Sequence, residues 1–146
     1  MSIPIKRLPS GEGLPLPRYA SPGAAGLDLH AAIDDVMNIH PGTTSAVPTG
    51  ISIALPEGYE GQVRPRSGLA INHNVGIINA PGTIDTDYRG EVMVLLTNFS
   101  DRDYTIKRGD RIAQLVVARY EKIEWMVVRQ LPPSSRGSDG FGHSGK

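Results

Sequence analysis

The chain contains no cysteine, which excludes disulfides, thiolate zinc centres and the paired-cysteine site of the zinc deaminases. Its four histidines are scattered, without the spacing of a metal motif. Aromatic residues make up only 5% of the sequence, so any core is chiefly aliphatic. Neither sign of charge is in excess: 15 basic and 15 acidic residues cancel, and the pI is near 6.9. A domain so balanced lacks the positive field behind nonspecific nucleic-acid binding, and no nucleic-acid partner is expected. No apolar run approaches the roughly 18 residues of a membrane span, and the opening MSIPIKRLPSG lacks the apolar segment of a signal peptide. A soluble cytoplasmic protein with no membrane partner is the expectation.

What is present fits one domain: 146 residues and 15.7 kDa, with 17 glycines and 12 prolines to make turns. Ile51, Ile53 and Leu55 alternate with smaller residues. Val92, Val94 and Leu96 alternate with Met93 and Leu95, the two-residue period of strands. That second run is apolar on both faces and needs cover on both sides, within a sandwich or barrel or at a subunit contact. Further short runs at Gly61–Val63, Val75–Ile78, Tyr104–Ile106, Ile112–Val117 and Ile123–Val128 are separated by turn signals such as LPEGYEG, NAPG and KRGDR. The pattern predicts an all-β sandwich or barrel. One short helix is predicted at Ser67–Asn74, with Ser67 as its N-cap. The Pro-, Ser- and Gly-rich end is predicted to be a mobile arm, dividing the chain into a β domain at 1–131 and an arm at 132–146.

Five stretches could carry chemistry. In RPRSGLA, Arg64–Ala70, guanidinium groups, the Ser67 hydroxyl and the unpaired backbone N–H groups of a helix start suit an anion, although the stretch is as readily an N-capped turn with solvated arginines. In IDTDYRG, Asp85 and Asp87 are two residues apart and would share a strand face, where two carboxylates repel unless water or a cation lies between them. The bland reading is a polar hairpin end turning at Tyr88, Arg89 and Gly90. The preceding NAPG loop adds the Asn79 amide, a group able to read a base edge. In RGDRIAQLVV, Gln114 interrupts an apolar run and needs hydrogen-bond partners, which backbone alone could supply. In AAGLDLHAA, Asp28 points away from Leu27 and Leu29 if the segment is extended, as a solvated surface aspartate also would. The tail RGSDGFGHSG holds Arg136 and a phenylalanine, Phe141, able to stack on a base.

Read in order, these five stretches resemble the ordered motifs of the trimeric dUTP pyrophosphatase (dUTPase) family, with RSGLA, IDTDYRG and GDRIAQL the most specific. The resemblance implies a distorted jelly-roll β subunit and a homotrimer whose active sites are shared between subunits, each closed by a C-terminal arm. It implies hydrolysis of dUTP to dUMP and pyrophosphate, with Asp85 as general base for water attacking the α-phosphorus. It implies that Asn79 and the hairpin of Gly82, Thr83 and Ile84 read uracil, and that Tyr88 packs on the deoxyribose. Arg66, Ser67, Gly68, Gln114 and Arg136 are implied at the phosphates, and Phe141 over the uracil. Mg2+ is the implied cofactor, with Asp28 touching it through water. Asp139 and His143 depart from the family tail, which has glycine and serine there. Two rivals remain: a dCTP deaminase-like enzyme, in which a glutamate activates water, and a non-catalytic nucleotide-binding trimer that signals through its arm.

Overall fold

A computed structural model describes residues 1–138. Short strands carry the fold: β1 (Ile5–Arg7), β2 (Leu27–His30), β3 (Met37–Ile39), β4 (Thr44–Pro48), β5 (Ile51–Ile53), β6 (Tyr59–Arg64), β7 (Val75–Ile77), β8 (Gly82–Ile84), β9 (Met93–Asn98), β10 (Tyr104–Ile106) and β11 (Arg111–Arg119). One helix, α1 (Ser67–His73), leads from β6 into β7. The larger sheet runs β2-β11-β6-β8 and the smaller β4-β9-β7, with two-stranded ribbons β1-β5 and β10-β3. Every pairing is antiparallel. The fold class is therefore all-β with a short helix, as expected from sequence.

Alternation explains the core. In β9, Val94 and Leu96 point inward and are fully buried, facing Val47 of β4 and Ile77 of β7 in register. In β11, Leu115 stands opposite Val63 of β6, both buried. Full burial of such a side chain is worth about 1.5–3 kcal/mol. Gly61 of β6 has no side chain because the space is filled: a Cβ there would meet Ile84 at 3.1 Å and Leu55 and Leu115 at 3.3 Å. This seats β8 on the core and so fixes where the chain emerges at Asp85. The other face of β9 is partly covered, with Leu95 half-buried and Met93 exposed.

Three local expectations are corrected. The run Ile123–Val128 forms no strand; Trp125 and Val127 are 86% and 95% exposed. Alternation creates a strand only where the run pairs with another strand, and among the described residues this run is not paired. Ser67 is the first helical residue rather than the cap; Arg66 holds the cap position in extended geometry, with no side-chain capping bond. Asp85 and Asp87 do not share a strand face, because β8 ends at Ile84. The chain turns at once, the Tyr88 N–H donating to the Asp85 carbonyl at 3.2 Å, so the turn centres on Thr86 and Asp87. No helix among the described residues is long and apolar enough to cross a membrane.

Candidate active site

Six of the residues singled out from sequence line one pocket of about 240 Å³: Asn79, Gly82, Thr83, Ile84, Asp85 and Tyr88. Its apolar wall comes from Val63 of β6 and from Met93 and Leu95 of β9. The outer face of β9 thus has a use. Strand β8 builds the floor: Gly82 pairs with Val63 and Ile84 with Gly61, so both point into the core while Thr83 and Asp85 are exposed. The amide of Asn79 lies close over Gly82, where a Cβ would sit 3.2 Å from Asn79 Nδ2 and 3.4 Å from Val63 Cβ. Glycine at 82 lets the amide rest there. The Ala80–Pro81 peptide between them is cis.

The remaining polar residues gather elsewhere, on the sheet at β2 and β11. Asp28 is buried, and each carboxylate oxygen faces a guanidinium: Oδ1 lies 3.2 Å from Arg66 Nε and Oδ2 lies 3.3 Å from Arg111 Nη1. The reading of Asp28 as a solvated surface residue is overturned. Burying a lone carboxylate is costly, and the two facing guanidinium groups offset part of that cost. Arg66 Nη1 also donates to the Arg111 carbonyl at 3.2 Å, closing the group. Gln114 stands in register with Asp28 on one side and Arg64 on the other. Its half-buried side chain lies across Gly26, where a Cβ would come within 3.2–3.3 Å of it. His30 joins the group, its pKa lowered by burial and by Arg111, Arg18 and Arg66, against the opposing pull of Asp28. Ser67 and Gly68 are exposed at the start of α1.

Arg111 and Gly26 are contributors that residue-by-residue reading missed. Both sit inside quoted motifs, but only the fold brings Arg111 to Asp28 and Gly26 under Gln114. Arg136 lies in an exposed turn closed by the Gly137 N–H donating to the Ser134 carbonyl at 3.2 Å, and lines neither cavity. Phe141, Asp139 and His143 lie outside the described residues. The pocket at Asp85 and the cavity beside Asp28 and Arg111 have no lining residue in common.

A family model described as dUTPase matches residues 12–145. The chain belongs to the dUTPase family. It is 54% identical over 145 residues to the deoxyuridine 5'-triphosphate nucleotidohydrolase of Anaplasma marginale (strain St. Maries), covering 99% of both chains. Among solved structures it is similar to a Staphylococcus bacteriophage 80alpha dUTPase variant with dUpNHpp, at 25% identity and a TM-score of 0.88 over 99% of both chains. It shares its fold with a phage phi11 dUTPase of S. aureus described for its structural Mg(II) ion, at 23% identity and a TM-score of 0.78. That match covers 89% of this chain and 98% of the phage protein. The jelly-roll expectation therefore holds for this dUTPase-family chain.

Among the described residues no group of three or more His, Asp or Glu side chains could hold a metal ion. The donor set fits a Mg2+ ion carried in on phosphate oxygens and touched through water. Asp28 is a single carboxylate already balanced by two arginines, and Mg2+ keeps several waters when bound beside phosphates.

Proposed function

We propose that the chain hydrolyses dUTP to dUMP and pyrophosphate, with the Asp85 pocket taking the deoxyuridine and the Arg66 group taking the phosphates. The reading rests above all on one observation: the residues matching the family's base, sugar and catalytic positions line a single pocket with an apolar wall. Lowering dUTP and supplying dUMP for thymidylate synthesis are the consequences, and the activity is assigned to the cytoplasm.

In this reading Asn79, resting on Gly82, pairs with the acceptor–donor–acceptor edge of uracil. Cytosine would leave that amide wrongly paired, at a cost of about 1–3 kcal/mol. Thymine is refused by its methyl group against the packed wall. Asp85, at the turn where β8 ends, takes the proton of the water that attacks the α-phosphorus in line. Base catalysis of this kind supplies roughly 10²–10⁴-fold, so positioning and charge neutralisation must supply the rest. Arg66, aimed by Asp28, meets the phosphate chain with the Ser67 hydroxyl, exposed at the start of α1. Gly68 gives access, and Gln114 contacts the phosphates from β11. Mg2+, when bound to the triphosphate, would offset its charge, with Asp28 reaching it only through water.

The pocket at Asp85 and the cavity beside Asp28 and Arg111 share no lining residue, which supports reading the working form as a homotrimer. One subunit presents its Asp85 pocket to the Arg66 group of the next. The arm from residue 132 of a further subunit closes the site with Arg136 on the terminal phosphate and Phe141 on the uracil. Deamination finds less support, because the glutamate of the pocket lining, Glu91, has its carboxylate bound to the Gly50 N–H at 2.7 Å.

The test is pyrophosphate release from dUTP, dCTP, dTTP and UTP with Mg2+, beside an Asp85→Asn variant. Turnover confined to dUTP and lost in the variant is expected. Binding of dUTP without turnover would refute hydrolysis and leave a nucleotide-binding trimer.

A further inference from the structure

We infer that Glu91 is a positioning residue that sets the sugar selectivity of the pocket by fixing the Tyr88 ring through its tether to Gly50. The inference rests on the reading that this pocket takes the deoxyribose.

Tyr88 is 43% exposed, and an exposed ring rotates freely unless something holds it. Two things hold this one. Its phenol donates to the Glu91 carbonyl at 2.8 Å. The ring also lies folded over Gly90, where a Cβ would run into the phenol oxygen and the ring carbons. The ring is therefore only as fixed as the backbone at 90–91. That backbone is fastened by the Glu91 side chain, whose Oε1 accepts from the Gly50 N–H at 2.7 Å in a partly buried setting.

Gly50 is a firm anchor. Its φ of +69° favours glycine, a Cβ there would run into the Gly11 backbone, and its carbonyl accepts from the Leu8 N–H at 2.8 Å. The attachment continues past Glu91, with Val92 N–H donating to the Ile51 carbonyl at 2.9 Å and Thr49 Oγ1 to the Val92 carbonyl at 2.6 Å. Between the ring and this anchor the Glu91 carboxylate is the side-chain link.

A pocket that refuses an added hydroxyl by shape alone discriminates by about 10²-fold. Freeing the ring puts that factor at stake. The experiment measures kcat/KM for dUTP and for UTP, with Mg2+, in wild type, Glu91→Ala, Glu91→Gln and Gly90→Ala, with thermal unfolding of each. Gly90 is outside the left-handed region, and the nearest atoms that a Cβ there would meet are those of the Tyr88 ring, so alanine displaces the ring without removing the Glu91 carboxylate. The dUTP-to-UTP ratio is expected to fall about tenfold in Glu91→Ala and in Gly90→Ala. It is expected to recover in Glu91→Gln, which keeps an oxygen within reach of the Gly50 N–H. A merely structural role would lower both substrates together and leave the ratio unmoved. An unchanged ratio in Gly90→Ala, or no recovery in Glu91→Gln, overturns the inference even if Glu91→Ala fails to fold. Absence of dUTP turnover in wild type would instead bring down the reading beneath it.

Discussion

At the scale of single residues, Asp28 organises the cationic half of the proposed site. It holds Arg66 and Arg111 through different oxygens, so its loss leaves two guanidinium groups facing each other across a buried gap. Asp28→Asn is expected to cost about 1–3 kcal/mol of stability by urea denaturation. That is below the roughly 3–5 kcal/mol of a fully buried pair because both arginines keep some solvent. The same variant should raise KM for dUTP, since Arg66 loses its aim. Gly82 does comparable work in the other half. Alanine there must push the Asn79 amide aside by a few tenths of an ångström, and a roughly tenfold fall in kcat/KM for dUTP is expected in steady-state kinetics. These two residues also mark what sequence could reveal. Asn79 to Tyr88 are near neighbours in the chain, so their association was legible in the motif. Asp28, Arg66 and Arg111 come from three distant segments, and only the pairing of β2 with β11 brings the first and last together.

At the scale of elements, apolar runs mark β5, β6, β7, β9, β10 and β11, whereas β1, β3 and β4 carry too few apolar residues to show, and the run at 123–128 forms no strand. The misjudged ends have local causes. Ser67 looked like a cap by residue type, but the helix begins one residue earlier in register, with Arg66 held in the extended cap geometry. The hairpin after β8 turned sooner than Tyr88-Arg89-Gly90 suggested, because Asp85 and Tyr88 close a four-residue turn. Tyr104 in β10 links this level to solution behaviour. Its ring lies 5.3 Å from that of His73 at the end of α1, and burial, followed by Asp110, holds its pKa above the usual 10. The folded state thus keeps a proton that the unfolded chain releases first. Its contribution to stability is intact below pH of about 10 and is lost as pH rises through the folded value. Tyr104→Phe should therefore flatten the alkaline fall in stability, read by urea denaturation at pH of about 9 and about 11.

At the scale of the whole molecule, the Asp85 pocket and the cavity beside Asp28 and Arg111, proposed as two halves of one site, share no lining residue, and the apolar run at 123–128 is exposed. Exposed apolar surface of that kind marks an interaction site. The proposed trimer answers both observations, since a neighbouring copy can bring Arg66 to Asp85. Sequence carried this only through the family resemblance; alternation and composition say that faces want cover, not which surface covers them. Subunit mixing tests the claim most directly. Asp85→Asn and Arg66→Gln chains, each expected to be inactive alone, are unfolded together in equal amounts, refolded and assayed for pyrophosphate release from dUTP. If each site takes Asp85 from one copy and Arg66 from another, about a quarter of the sites regain both groups, with activity to match. Activity that stays at the level of the separate variants would contradict a shared site and return the whole reaction to one chain.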